Sequence, residues 1–159
     1  MYSNTKEDFE QIGKAHTLFI VNHSFEIDWL IGWSVVDKFE ALGAVRGFVK
    51  NALKYIPVCG YFTALADNVM VSRSFEKDKE VINKAIEEFM EYPYSIWMAI
   101  MAEGTRFTKI KHEASVEFAK LKGIEPLKHH LIPRASGFNA CVPILRKKES
   151  PMVYNMQIM

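Results

Sequence analysis

Two short apolar runs, His16 to Val21 (HTLFIV) and Ser95 to Ala102 (SIWMAIMA), constrain the fold more than any other feature of the chain. Neither alternates polar with apolar residues, so each is expected to be a strand covered on both faces, as in a sheet layered between helices. Each also runs directly into a polar cluster, Asn22-His23-Ser24 after the first and Glu103-Gly104-Thr105-Arg106 after the second. The carboxyl ends of strands are where open α/β sheets bind their ligands.

Helical signals separate the strand signals. The apolar-rich stretch from Phe25 to Phe39 reads as a helix with Ser24 as N-cap and with Glu26 and Asp28 in its first turn, where the helix dipole favours negative charge. From Glu76 to Tyr92 the residues Val81, Ile82, Ala85, Ile86, Phe89 and Met90 share one helical face, and Pro93 closes the segment. His112 to Lys122 reads as a shorter helix with Ala114, Phe118 and Leu121 inward and Gly123 as its stop. Ser136 to Lys147 is expected to be helical with a disturbance at Pro143. Asp67 to Arg73, His130 to Pro133 and Met152 to Ile158 read as further strands, Ile56 to Gly60 as a loop, and Gly43 to Lys54 as ambiguous. With no internal repeat or Pro/Gly/Ser linker, residues 1–159 are expected to form a single α/β domain, a mixed central sheet flanked by helices.

Charge and composition exclude several functions. Lys and Arg number 20 against 19 Asp and Glu, a net charge of +1, which lacks the basic excess that nucleic-acid binding requires. Cys59 and Cys141 make neither a CxxC pair nor a disulfide framework and read as reduced, buried, structural thiols. The longest nearly uninterrupted apolar run, Tyr94 to Ala102, falls well short of the roughly 18 to 20 residues that cross a bilayer as a helix. Residues 1–12 lack the cationic head and apolar stretch of a signal peptide. The last strand pattern runs to the end of the chain, which suggests a fragment. Eleven Phe, three Trp and eight Met supply apolar surface for a core, or for a groove that holds lipid.

Four groups of residues carry candidate chemistry. His23 precedes Asp28 by five positions across a strand-to-helix turn, so a carboxylate can accept from Nδ1–H and leave Nε2 free to take a proton from a substrate hydroxyl. The same spacing suits a simple capping turn, and Glu26 competes with Asp28 for the imidazole. In Glu103-Gly104-Thr105-Arg106, glycine permits close backbone approach, threonine offers a hydroxyl and arginine a planar fork suited to phosphate, although a surface Glu–Arg turn has the same composition. Arg73 and Arg134 stand at two other predicted strand ends, so three cations converge on the expected binding edge and point to a phosphorylated substrate. No HExxH or Cys/His spacing suggests a metal, and no GxSxG elbow suggests a serine hydrolase.

In this order, NHSFEID, Arg73 in VMVSRSFEKD, EGTRFT and LIPR resemble the four blocks of the glycerolipid acyltransferases, most closely the 1-acylglycerol-3-phosphate (lysophosphatidic acid) acyltransferases. IPVCGYF, SRSFEKD and HHLIPRASGF point to the branch that also contains lysocardiolipin and other lysophospholipid acyltransferases. The resemblance covers about Leu18 to Ile158. It implies a glycerol-phosphate acyltransferase-like fold and a catalytic domain in which His23 is the general base and Asp28 orients it. It also implies that Arg73, Glu103, Gly104, Thr105 and Arg106 bind the glycerol-phosphate part of a lysophospholipid acceptor. The block around Ile132 and Pro133 is implied to bind the acyl donor or shape the site. Acyl-CoA is the implied co-substrate, with no other cofactor, no metal and no nucleic acid, at the surface of the endoplasmic reticulum membrane in a parent protein with flanking hydrophobic segments. Met101-Ala102 departs from the Phe-Pro common before this Glu, where altered packing of the turn is expected. Another lysophospholipid as acceptor, or a non-catalytic lipid-binding or membrane-shaping role, are the competing readings.

Overall fold

The computed structural model describes residues 10–72 and 74–158. Strand β1 (Thr17–Val21) lies between β4 (Trp97–Met101) and β5 (Met152–Met156), with β2 (Val45–Lys50) and then β3 (Val69–Val71) beyond β4, giving the order β3-β2-β4-β1-β5. The sheet is accompanied by α1 (Asp28–Asp37), α2 (Cys59–Leu65), α3 (Phe75–Met90), α4 (Lys109–Leu121) and α5 (Ser136–Leu145). The α/β class and the flanking helices are as expected, but the sheet is not mixed, because all four strand pairings are parallel. Each connection between successive strands contains at least one helix, long enough to return the chain to the starting edge, and the short hairpin that antiparallel neighbours use is absent from the described residues.

Alternation along the central strands separates the core into two layers. Leu18 of β1 and Met98 and Ile100 of β4 pack on one face with Ile82, Ile86, Phe89 and Met90 of α3 and Cys141, Ile144 and Leu145 of α5. Phe19, Val21 and Trp97 point to the other face, against Val36 of α1, Ile12 and Ile158. Burying both faces of β1 and β4 is what their unbroken apolar runs required.

Several local expectations are corrected. Helix α1 begins at Asp28 rather than Phe25, Ile27 occupies the capping position, and Ser24 does not cap it. The Ser24 N–H instead donates to the Asp28 side chain, which pulls the chain into a turn before the helix. Ala119 is the fully buried residue of α4, while Phe118 and Leu121 are 47% and 85% exposed and Ala114 faces solvent. Polar contacts set that orientation: Ser115 Oγ accepts the Ile132 N–H at 2.8 Å and His112 Nε2 donates to the Leu127 carbonyl at 2.7 Å, so positions 112, 115 and 119 form the inner face. Residues 130–133 are irregular rather than a strand. Cys141 is buried, which pushes its thiol up to about 12, whereas Cys59 is exposed at the start of α2.

Candidate active site

The parallel pairing of β1 with β4 sets Val21 opposite Met101, so the loops that follow leave the sheet side by side. The Phe107 N–H donates to the His23 carbonyl at 2.7 Å and joins the two loops. The first of the four groups read from the sequence, His23 with Asp28, therefore meets the second, Glu103 to Arg106, at one carboxyl edge.

His23 and Asp28 are in contact. Nδ1 of His23 lies 3.0 Å from Oδ2 of Asp28, whose side chain is completely buried while that of His23 stays 22% exposed. The same oxygen accepts the N–H groups of Ser24 at 2.7 Å and Phe25 at 2.9 Å. Burial alone would raise the Asp28 carboxyl, but the bond to His23, the two backbone donors and the attraction of the imidazole outweigh it and hold the group below its usual value. An ionised Asp28 can only accept, so Nδ1 carries the proton and Nε2, which has no hydrogen-bond partner among the described residues, presents its lone pair. The capping turn and the His–Asp pair are thus one arrangement, in which a single carboxylate orders the loop backbone and the ring together. Its second oxygen, Oδ1, is buried without a hydrogen-bond partner. Glu26 does not compete for the ring, because it forms an ion pair with Arg106.

The turn after β4 is built by backbone bonds. The Gly104 N–H donates to the Met101 carbonyl at 2.9 Å, and the Arg134 N–H donates to the Ala102 carbonyl at 2.7 Å. Met101 and Ala102 thereby support the turn through their carbonyls. Gly104 has φ of +68°, and a Cβ there would stand 3.5 Å from Cδ of Arg134, so glycine meets a conformational rather than a steric demand. Thr105 and Arg106 follow at the surface, and Lys111 Nζ donates to Thr105 Oγ1 at 2.6 Å and to the Arg106 carbonyl at 3.1 Å. Glu103 is buried, with Oε1 3.5 Å from His130 Nδ1 and Oε2 without a hydrogen-bond partner.

Pro133 is exposed in the irregular segment held by Ser115 through Ile132 and by Ala102 through Arg134, which brings this block against the end of β4. Arg73 lies outside the described residues. Its neighbours Ser72 and Ser74 both donate backbone N–H groups to the buried carboxylate of Asp78, at 2.8 and 3.1 Å. Asn22 adds a support that sequence reasoning missed, since its side chain donates to the Ile158 carbonyl at 2.9 Å and accepts the Ile158 N–H at 2.7 Å. His130 and Lys111 were also missed as members of this edge. Lys111 does leave a sequence trace: with Lys109 it occupies a first helical turn that contains no acidic residue. Among the described residues, no three His, Cys, Asp or Glu side chains are grouped so as to hold a metal ion.

The sequence profile of the Acyltransferase family matches residues 3–148. The chain belongs to that family. It is 39% identical over 137 residues to 1-acyl-sn-glycerol-3-phosphate acyltransferase gamma of Homo sapiens, an alignment covering 86% of this chain and 36% of that protein. It is 37% identical over 138 residues to the delta protein of Bos taurus, covering 87% and 36%, and 37% identical over 143 residues to the delta protein of Mus musculus, covering 90% and 38%. The acyltransferase domain thus spans little more than a third of the length of these curated relatives. No solved structure matches it.

Proposed function

We propose that this acyltransferase domain moves a fatty acyl group from acyl-CoA to the sn-2 hydroxyl of lysophosphatidic acid, giving phosphatidic acid. The observation that carries the reading is the Nδ1 to Oδ2 contact of 3.0 Å, which leaves Nε2 of a partly exposed His23 without a hydrogen-bond partner among the described residues. An alcohol is a poor nucleophile at neutral pH, and a positioned base contributes about 10² to 10⁴ in rate. Nε2 takes the hydroxyl proton as the oxygen attacks the thioester carbonyl. The C–S bond then breaks, and the departing thiolate, whose conjugate acid resembles a cysteine thiol with a pKa near ~8.5, receives the proton back from the imidazole. Asp28 stabilises the imidazolium that forms between the two steps. Acyl-CoA serves as co-substrate and the scheme requires no further cofactor.

The names of the relatives support lysophosphatidic acid as acceptor. Thr105 and Arg106, with Gly104 allowing close approach, supply donors for its phosphate, and Glu103, Arg73 and the Pro133 block complete the assignment by resemblance. Phosphate docking on Arg106 displaces Glu26, an exposed partner held by an exchange that costs little in water. We further assign a lipid surface as the partner, that of the endoplasmic reticulum membrane. Exposed Trp29 and Leu30 on α1 and Tyr55, Val58, Tyr61 and Leu65 around α2 support that assignment, as does an open groove of ≈ 480 Å³ between Tyr55 and Tyr61. Among the described residues no helix is long and apolar enough to cross a membrane.

The test is release of free CoA thiol from oleoyl-CoA, with and without lysophosphatidic acid, in wild type and His23→Ala. The expected result is release that depends on the acceptor and falls at least about 10²-fold in the variant, with an unchanged melting temperature. Release only with another lysophospholipid would move the acceptor assignment, and no release with any acceptor would favour a lipid-binding role.

A further inference from the structure

We propose that Lys111 is a ligand for the acceptor's phosphate monoester, acting both directly and through Thr105. The inference rests on the acyltransferase reading above and names a residue of that same site. An ammonium has three donors, and Lys111 spends two of them on neutral oxygens, Thr105 Oγ1 at 2.6 Å and the Arg106 carbonyl at 3.1 Å. Among the described residues it has no carboxylate partner, whereas the guanidinium of Arg106 is already paired with Glu26. Of these two side chains, Lys111 is the one whose charge is not neutralised before an anion arrives.

The contact with Thr105 has a second effect. Because Thr105 Oγ1 accepts from an ammonium, its own hydrogen points away from Lys111 and can be donated only elsewhere. An anion seated between Thr105 and Lys111 receives one proton from each, and both bonds are charge-assisted. The position of Lys111 on α4 agrees with this assignment. Helix dipoles disfavour cations in a first turn, α1 and α3 place acidic residues there, and α4 places Lys109 and Lys111 instead. A bound phosphate turns that unfavourable arrangement into a favourable one.

The experiment compares wild type with Lys111→Ala and Lys111→Arg. Steady-state kinetics with oleoyl-CoA and lysophosphatidic acid are read beside calorimetric titration with glycerol 3-phosphate and with inorganic phosphate. Lys111→Ala should raise KM for lysophosphatidic acid about tenfold, leave kcat within about threefold and leave KM for oleoyl-CoA unchanged, while glycerol 3-phosphate binding weakens in parallel. Lys111→Arg should recover most of the loss. An unchanged acceptor KM, or a fall in kcat with equal rises in both KM values, would overturn the proposal and leave Lys111 as a prop for the turn. Weakened inorganic phosphate binding with an unaltered lysophosphatidic acid KM would also overturn it, by showing an ion site that the lipid does not use. Failure of the underlying reading looks different: wild type would then release no acceptor-dependent thiol, and the glycerol 3-phosphate titration alone would decide for or against Lys111.

Discussion

Strand β1 has a histidine beside a carboxylate at each end, His16 with Glu149 before it and His23 with Asp28 after it. In the first pair the buried ring of His16 accepts the Ile96 N–H on Nδ1 at 3.1 Å, which fixes its proton on Nε2, and Glu149 Oε1 stands 3.7 Å from that nitrogen. Burial favours the neutral ring and lowers its pKa from 6.5; Glu149 opposes that shift and Lys148 adds to it. In the second pair the carboxylate is the buried partner and the ring reaches solvent. The residue types are alike, but the nitrogen that remains available differs. His16 gives a lone pair to the backbone, and His23 keeps the one on Nε2.

Exchanging the role of the buried carboxylate should produce the largest effect. Asp28→Asn keeps an oxygen for the three donors but puts an amide NH₂ where Oδ1 now lies without a partner, and it removes the charge that stabilises an imidazolium. Turnover should fall about 10²- to 10⁴-fold and stability by about 1 to 3 kcal/mol, read by thiol release and urea unfolding. Wild-type turnover in this variant would erase the distinction between the two pairs.

His16→Asn should act on stability and not on chemistry, because the asparagine oxygen can take over the bond from Ile96. The pKa of His16 is lower in the folded chain than in the unfolded one, so as pH falls below about 6.5 the unfolded state binds a proton that the folded state resists. Stability is present above that range and is lost on the acid side. Asp28 behaves similarly lower down, its contribution fading only as pH falls below the usual carboxylate value of 3.8 and through its own depressed one. The drop in urea midpoint from about pH 7.5 to about pH 5.5 should therefore shrink in His16→Asn while turnover at neutral pH is retained. An undiminished drop would remove His16 from the account.

The smallest change is expected from Glu149→Gln. That side chain is 46% exposed, its contact with the His16 N–H at 3.0 Å survives as an amide oxygen, and solvent screens the charge that is lost. Less than about 1 kcal/mol should separate it from wild type in urea unfolding.

Much of the frame was legible because β1, β4 and α3 carry long-wavelength patterns: two apolar runs and one helical face on which Ile82, Ile86, Phe89 and Met90 are buried, with Ala85 half-buried and Val81 at its exposed margin. The elements that departed from expectation are those whose boundaries depend on a single polar bond. Ser24 could not be told from an N-cap until Asp28 was seen to accept its N–H, and the rotation of α4 is decided by Ser115 and His112, whose partners come later in the chain. The parallel sheet was missed because strand direction is set by how connections pack, and no local pattern records it. The same division holds at the site. His23 and Asp28 are close enough in sequence for spacing to pair them, whereas Glu103 meets His130, Glu26 meets Arg106 and Asn22 meets Ile158 across the fold.

The last of these contacts bears on when the site can exist during synthesis. Asn22 immediately precedes the proposed base, and its two bonds to Ile158 span 136 positions of sequence. A nascent chain still holding residue 158 inside the ribosome has already made His23 and Asp28 but lacks the clamp beside them. Contacts of such long range are late events in folding, since loop closure must precede any gain from them. Completion of the edge that holds His23 and Asp28 is therefore timed by the arrival of Ile158, just beyond β5.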